Sequence, residues 1–224
     1  IINCAEGECV DISLFGRMSS QNIFGEVSGA LGTAFAMGVN EYQEMIDDFV
    51  TNDDVATNAG YLGHKDTGHK LHSTMFYHYH WLDMQQLRAN MPFLYEEDDM
   101  KNTVVAAVTD TLCTNVPMAL NRKMGHRSLP IGILVVVREG QNINLANAFD
   151  RVVSPERGGL GRPSVSRLGN YFSKVRQEMG NHKAFWYSPQ YDLRCKNGKT
   201  WEEIKGVERV QSIAELTEKL KQIV

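Results

Sequence analysis

Apolar and polar residues alternate with a period of two in the early part of the chain. From Ala30 to Val39, small residues occupy every second position and larger residues the positions between, which is typical of a β-strand. A shorter alternation over 11–14 predicts a strand that Gly16 ends. The small-residue face of the longer strand allows close approach by a ligand or another backbone, or it simply packs tightly in a sheet.

A polar segment, residues 40–72, separates this strand from the next apolar run. It holds seven acidic residues and two lysines, a net charge of −5, and its scattered apolar residues cannot supply a core. Loops without secondary structure longer than about 15 residues are uncommon in compact domains. We therefore expect an arm or long hairpin that returns through "STMFYHYHW", with Tyr79 and Trp81 on one face and His78 and His80 on the other.

Helical periodicity and one buried strand follow this return. The run "IGILVVV" at 131–137 predicts a buried strand, and Ser212 and Glu215 have the spacing of a capping box at the start of the last helix. No internal repeat occurs, so the predicted fold is mixed α/β of the α+β kind. The other predicted helices cover about 84–90, 99–113, 145–153 and 164–179.

Length and composition indicate an ordinary soluble protein. With 224 residues, 42% of them hydrophobic, the chain can bury a sizeable core. No window resembles a membrane helix, and the start lacks the pattern of a signal peptide, which favours a cytoplasmic protein. The four cysteines form no CxxC pair and are expected to be reduced thiols. Because the chain starts with Ile1, almost inside a strand pattern, we expect it to be a piece of a longer protein.

Charge is distributed unevenly although the formal net charge is only −4. Residues 115–176 hold ten lysines or arginines and three acids, a net charge of +7 that could follow a phosphate backbone. The densest part is the loop "NVPMALNRKMGHR", in which cations and an amide suit phosphates and sugar hydroxyls. A merely solvated basic loop is the alternative. The candidate RNA-binding residues of this loop are Asn121, Arg122, Lys123 and Arg127.

A histidine cluster offers an enzymatic alternative. His64, His69, His72, His78 and His80 lie close in sequence, and His78 and His80 share a strand face, as two metal ligands can. However, the sequence contains no HExxH motif, no GxSxG nucleophile elbow and no phosphate-binding P-loop. Solvated or base-stacking histidines are the favoured interpretation of the cluster, and we predict no metal site.

Several blocks, in order, resemble one known family. These are "VDISLFGRMSS", "EVSGALGTAFAMGV", "IDDFVTNDDV", "STMFYHY", "TNVPMALNRK" and "LANAFDRVV". The chain is similar to the CasC-type backbone subunit of type I-E CRISPR Cascade, a guide-RNA-binding protein. The blocks span about residues 10–180. The first strand of the family's palm and its Ser- and Lys-bearing RNA-binding segment have no counterpart here, and the last 40 or so residues match poorly.

The resemblance implies an architecture and a function. It implies an RRM-like (ferredoxin-like) palm with helical elaborations and a projecting β-hairpin thumb, divided here into palm strands (1–39), thumb (40–72) and the rest of the palm (73–224). The implied protein is not an enzyme and needs no cofactor. It polymerises head to tail into a helical ribonucleoprotein filament in antiviral defence and kinks the guide periodically. Its implied partners are CRISPR guide RNA, the target DNA strand, other copies of itself, the cap, small and large Cascade subunits and a recruited helicase-nuclease, with no membrane.

The resemblance also gives roles to individual residues. Met18 lies in the family's palm, and the thumb residue that reaches over it from the neighbouring copy matches Phe49, so the two would interrupt base stacking. The residues beside Met18 fit this reading physically. Arg17 can meet a phosphate, Ser19 and Ser20 can donate to phosphate or ribose, and Met18 is an unbranched apolar wedge.

Two other classes of protein remain possible from the sequence. A structural or assembly protein with a domain-swapping arm would share the polar insertion, but it would not need the basic loop and would purify free of RNA. A metal-dependent hydrolase would need His78 and His80 as ligands.

Overall fold

The computed structural model describes residues 9–19, 25–47, 50–51, 62–63, 69–92, 98–115, 125, 128–157, 159–180 and 182–223. Helices and several small sheets are mixed along these residues, which confirms the predicted α+β class. Among the helices described, none is both long and apolar enough to cross a membrane.

The described elements are five α-helices, two short 3-10 helices and thirteen strands. The α-helices are α1 (Val10–Phe15), α2 (Met84–Asn90), α3 (Asp98–Thr114), α4 (Gly161–Val175) and α5 (Ile213–Lys221), and the 3-10 helices are Ala146–Phe149 and Arg176–Met179. The strands before α2 are β1 (Leu31–Thr33), β2 (Met37–Gly38), β3 (Glu44–Asp47), β4 (Val50–Thr51), β5 (Leu62–Gly63), β6 (His69–His72), β7 (Phe76–Tyr77) and β8 (His80–Leu82). The later strands are β9 (Ile133–Arg138), β10 (His182–Tyr187), β11 (Arg194–Asn197), β12 (Thr200–Glu203) and β13 (Val207–Val210).

A three-stranded sheet in the order β13-β10-β9 separates two of the hydrophobic clusters. β10 runs antiparallel to β9 and parallel to β13. Alternate residues of β9 pack in opposite directions: Leu134 and Val136 contact the cluster containing Phe172 of α4, whereas Val135 and Val137 contact the cluster of α3 and α5. Because both faces are covered, the strand reads as an unbroken apolar run, as the sequence predicted.

Helix predictions succeeded best where an end signal accompanied the periodicity. The helices predicted at about 84–90 and 99–113 are confirmed as α2 and α3, and the predicted start of α5 is confirmed because Ser212 Oγ accepts from the Glu215 amide at 3.0 Å. The helix predicted over 145–153 is wrong, since only one 3-10 turn forms. Val153 N instead donates to Val39 O at 2.8 Å, which draws the chain back to the strands.

The strand predicted over 11–14 is wrong, because these residues belong to α1. Ser13 and Leu14 are adjacent and both are buried, which a helix achieves against its neighbours but a strand packed on one face cannot. Four alternating residues are too few to separate the two periods. The prediction that Gly16 ends the element is confirmed, and its amide donates to Ile12 O at 2.8 Å.

The strand predicted over 30–39 forms two short strands with a β-bulge between them. In the antiparallel ladders, Thr33 lies opposite His80 and Met37 lies opposite Tyr77. Three residues, 34–36, therefore oppose two of the returning strand. Tight packing fills the small-residue face at Gly32, where a Cβ would lie only 2.0 Å from the Trp81 ring.

The expectation of reduced cysteines holds only in part. Cys113 and Cys195 are free thiols, and burial together with Asp110 raises the pKa of Cys113 to about 11. Cys9, at the start of α1, forms a disulfide, so the prediction is wrong for this residue. Sequence spacing could not reveal the bond because no CxxC or matched pair marks it.

Candidate nucleic-acid interface

The segment that follows α1 is a loop held in place by close backbone contact. Gly16 has φ 81°, a conformation that residues with a side chain rarely adopt. A Cβ on Gly16 would lie 2.8 Å from Val27 O, and a Cβ on Gly29 would lie 2.7 Å from the Phe15 carbonyl carbon. The two backbones therefore cross at a pair of glycines, and neither position has room for a side chain.

Hydrogen bonds fix Arg17 at this crossing. Its backbone exchanges two bonds with Val27, of 2.9 and 3.0 Å, and its Nε and Nη2 both donate to Gly25 O at 3.3 and 3.1 Å. The guanidinium thus holds the loop closed. Its predicted contact with a phosphate stays a prediction.

Asn90, at the end of α2, stabilises the crossing through hydrogen bonds of its side chain. Its Nδ2 donates to Ser13 O at 2.9 Å and to Ser28 O at 2.8 Å, and its Oδ1 accepts from Gln86 Nε2 at 2.9 Å. One carboxamide therefore joins α1, α2 and the segment before β1. The role of Asn90 was not predicted from the sequence, because no motif marks an amide at the end of a helix.

Met18 lies on this braced loop with 94% of its surface exposed. Phe15, three residues earlier, is 70% exposed. Ser19 is half-buried and has a bonding partner. A flexible thioether side chain on a rigid backbone can insert between flat rings without moving its support. The remaining predicted RNA-binding residues lie outside the described part of the chain: Ser20, Phe49, Asn121, Arg122, Lys123 and Arg127.

The polar segment 40–72 contains hairpin pairing where the structure describes it. β3 pairs antiparallel with β6, and β4 with β5, which confirms the predicted hairpin. At its root, Asn40 Oδ1 accepts from Thr74 Oγ1 at 2.7 Å and from Met75 N at 2.9 Å. The boundaries of the thumb, 40–72, stay a prediction.

Most side chains of β3, in the hairpin beyond its root, are exposed. Met45 and Ile46 are neighbours in β3 and are 64% and 55% exposed, although they point to opposite faces. A hydrogen bond from Tyr42, followed by Lys70 at 3.2 Å, lowers the pKa of Glu44. The hairpin therefore combines a negative charge with apolar residues on both faces.

The histidine pair lies against the bulge. The rings of His78 and His80 have centroids 4.1 Å apart, and burial followed by His78 lowers the pKa of His80. His78 Nε2 donates to Ala34 O at 3.0 Å, and His80 Nδ1 lies 3.0 Å from Thr33 Oγ1. In the part of the chain that the structure describes, no three metal-ligating side chains come together.

A comparison with known protein families identifies the family to which this chain belongs. The model of the CT1975-like protein family (Cas_CT1975) matches residues 2–219, which is nearly the whole chain. The chain belongs to the CT1975-like family. This membership confirms the resemblance to a Cascade-type backbone subunit that the sequence blocks indicated. No curated protein matches the chain.

Solved structures share the fold of this CT1975-like chain. A chain of a "CRISPR RNA-guided surveillance complex, pre-nicking" matches with a TM-score of 0.77 and 23% identity, over 96% of this chain and 55% of that one. A chain of a "CRISPR RNA-guided surveillance complex" matches with a TM-score of 0.73 and 23% identity, over 95% and 77% of the two chains. The present chain thus spans about half the length of the first of these relatives.

Other exposed aromatic residues of this family member were not singled out from the sequence. Phe35, in the bulge, is fully exposed, and Trp201 of β12 is 45% exposed. Period-two alternation placed Phe35 in a regular strand. The hairpin that carries Trp201 was not predicted, although "NGK" between two short polar runs is a turn signal that could have indicated it.

Proposed function

We propose that the protein is the guide-RNA-binding backbone subunit of a type I CRISPR surveillance complex of the Cascade type. Membership of the CT1975-like family and the fold shared with chains of RNA-guided surveillance complexes support this class of function. The observation that carries the proposed mechanism is Met18. Its side chain is almost fully exposed on a loop that two glycines, Arg17 and Asn90 hold in one position.

Met18 acts as a wedge in the guide. Its thioether enters the base stack from the palm side, and Phe49 from the thumb of the neighbouring copy closes over it, so that the bases on either side are unstacked. Inserting an apolar side chain between base steps costs a few kcal/mol of stacking. A braced loop can oppose that cost because little conformational freedom is left to lose.

Polar contacts hold the guide backbone on both sides of the wedge. Ser19, Ser20 and the loop residues Asn121, Arg122, Lys123 and Arg127 bind phosphates and ribose, and Arg17 adds its positive charge. Such contacts position RNA without reading its sequence. The bases between successive wedges stay free, so pairing with the target DNA strand supplies sequence specificity.

Copies assemble head to tail into a filament, because a contact between unlike surfaces generates an open helix where the rotation does not close. The acidic hairpin with exposed Met45 and Ile46 suits docking on the basic surface of the next copy. The protein breaks no bond itself. Cap, small and large subunits complete the complex, and a recruited helicase-nuclease cuts the target.

Co-expression of the complete natural chain with a CRISPR array and the other subunits tests the proposal. After purification in high salt, the retained RNA is sequenced and probed with a nuclease. We expect RNAs with one constant repeat flank and variable spacers, protected at regular intervals. Met18→Ala should loosen the periodic protection near the wedge and leave assembly intact.

Met100→Ala is the matched control, since it removes another exposed methionine, located in α3, and should leave protection unchanged. Protein that stays free of RNA in this system would contradict the proposal. The hairpin would then be better explained as a domain-swapping arm of an assembly protein.

A further inference from the structure

The hairpin of β11 and β12 carries a cationic and aromatic face that the proposed guide contact does not use. Residues directly opposite each other in an antiparallel ladder share a face. Lys196 lies opposite Trp201, and Arg194 lies opposite Glu203, so these four form one face. Cys195 is on the other face and packs against the core cluster that contains Phe172. The face with Lys196 and Trp201 is therefore the outer one.

This hairpin has a rigid base. A Cβ on Gly169 of α4 would lie 2.3 Å from Arg194 O, so the backbones of helix and hairpin touch. Lys196 N donates to Asn170 Oδ1 at 2.5 Å. Trp201 is 45% exposed and Lys196 is exposed, although their backbones are held in place.

Exposed lysines lie on the hairpin and on the helix that packs against it. Lys174 follows Asn170 by four residues, so it lies on the side of α4 that meets the hairpin, and it is exposed. Within the described residues, neither Lys174 nor Lys196 has an ion-pair partner. Arg194 differs, since it pairs with Asp192 at 3.3 Å and faces Glu203 at the open end of the hairpin. The outer face therefore carries the charge of Lys196 directly opposite Trp201, and the carboxylate of Glu203 lies at its open end.

We propose that Trp201, Lys196 and Lys174 bind single-stranded nucleic acid at a site separate from the loop of Met18. The indole stacks on one base while the two ammonium groups neutralise phosphates on the same strand. A flat ring next to cations matches a polymer that alternates flat bases with anionic phosphates. The site is formed by the hairpin and α4, and it does not require that the guide binds at Met18.

The test uses the full chain, freed of nucleic acid in high salt. Fluorescence anisotropy measures the Kd for labelled oligo(dT) and oligo(U) of equal length between about 50 and 200 mM salt. Trp201→Thr, which keeps a strand-forming residue, should weaken binding about tenfold with an unchanged salt slope. Lys196→Gln should reduce the slope of log Kd against log salt by about 0.7. A preference for one oligonucleotide distinguishes DNA from RNA as the natural strand.

Two control variants distinguish the loss of this binding site from the general effect of substituting an aromatic residue or removing one positive charge. Trp201→Phe keeps a ring and should keep most of the affinity, and Lys221→Gln removes a positive charge from α5 without touching the hairpin. The inference is overturned if wild-type protein binds neither oligonucleotide or if Trp201→Thr binds as wild type. It is also overturned if Lys196→Gln and Lys221→Gln give the same slope of log Kd against log salt. A Trp201→Thr protein that changes its oligomeric state but binds as wild type would overturn it too. Sequencing of co-purified RNA reports on the guide function independently, so each proposal can fail alone.

Discussion

Two glycines determine how closely the loop of Met18 is held. Gly16 combines φ 81° with a Cβ position 2.8 Å from Val27 O, so Gly16→Ala adds both backbone strain and a clash. We expect a loss of about 2 kcal/mol or more in the free energy of unfolding, measured by urea denaturation. Gly25→Ala is the matched control, because no atom lies within 4 Å of its Cβ position. Equal stability of both variants would contradict the crossing.

For individual residues, the sequence indicates which ones have a structural or functional role better than it indicates which residues they contact. Gly16 and Met18 stand out within one short stretch, because a glycine and a bare thioether interrupt an apolar pattern. The partners Gly29 and Asn90 do not stand out, since each contact joins residues distant in sequence. Arg17 shows the same limit: a cation in a loop suggests phosphate, whereas its bonds to Gly25 arise only once the chain is folded.

Among the elements, α5 shows most directly how a sequence signal becomes a helix end. Ser212 Oγ accepts from Glu215 N at 3.0 Å, and Glu215 Oε2 accepts from Gln211 N at 2.7 Å. Ser212→Ala should lower the free energy of unfolding by about 1 kcal/mol, and Ser212→Gly by a few tenths. Thermal and urea unfolding measure both. A Ser212→Ala protein as stable as wild type would mean that packing of Leu216 and Leu220 alone holds this helix.

Elements with capping or burial signals were predictable, and elements defined by pairing were not. α2 has Asp83 at its N-cap, and β9 is apolar up to its last residue, Arg138, so both are recognisable from the sequence. The bulge at 34–36 depends on the register of two strands, which no single-strand pattern contains. β11 and β12 were missed because mostly exposed strands lack an alternating apolar face.

Across the whole molecule, Tyr77 joins the strands near the hairpin to the main core. Its hydroxyl donates to Asn144 Oδ1 at 3.0 Å and accepts from Leu145 N at 3.1 Å. Burial raises its pKa from 10.0 to about 12. Between these values the unfolded chain loses a proton that the folded protein keeps, so this contribution to stability is present below pH 10 and is lost as the pH rises towards 12.

Tyr77→Phe should therefore flatten the fall in unfolding free energy between pH 10 and 11. Its stability at neutral pH should also decrease by about 1 kcal/mol, through the lost hydrogen bonds. Urea denaturation at several alkaline pH values measures the slope. Tyr171→Phe removes the hydroxyl of another half-buried tyrosine and is the control for the substitution itself. An unchanged slope in Tyr77→Phe would show that its phenol is not shielded in the folded protein.

The class of fold followed from the order of elements, because apolar strands and amphipathic helices alternate unevenly along the chain. The packing of α4 on one face of the β13-β10-β9 sheet and of α3 and α5 on the other did not follow. It depends on β10 and β13, which the sequence analysis did not identify. Four of the nine candidate residues lie in one contiguous stretch, 17–20. The support of this stretch includes Asn90, which donates to Ser13 O, 77 positions earlier in the chain.

The root of the polar hairpin depends on the side chain of one residue. Asn40 ties the outgoing and returning strands together with one carboxamide, so it sets how the two strands are held at the root. A small change of angle at the root of any hairpin grows into a larger displacement with distance along its strands. A substitution at Asn40 would thus disturb how the two strands are held together, and a genetic screen would score it for this effect on the strands.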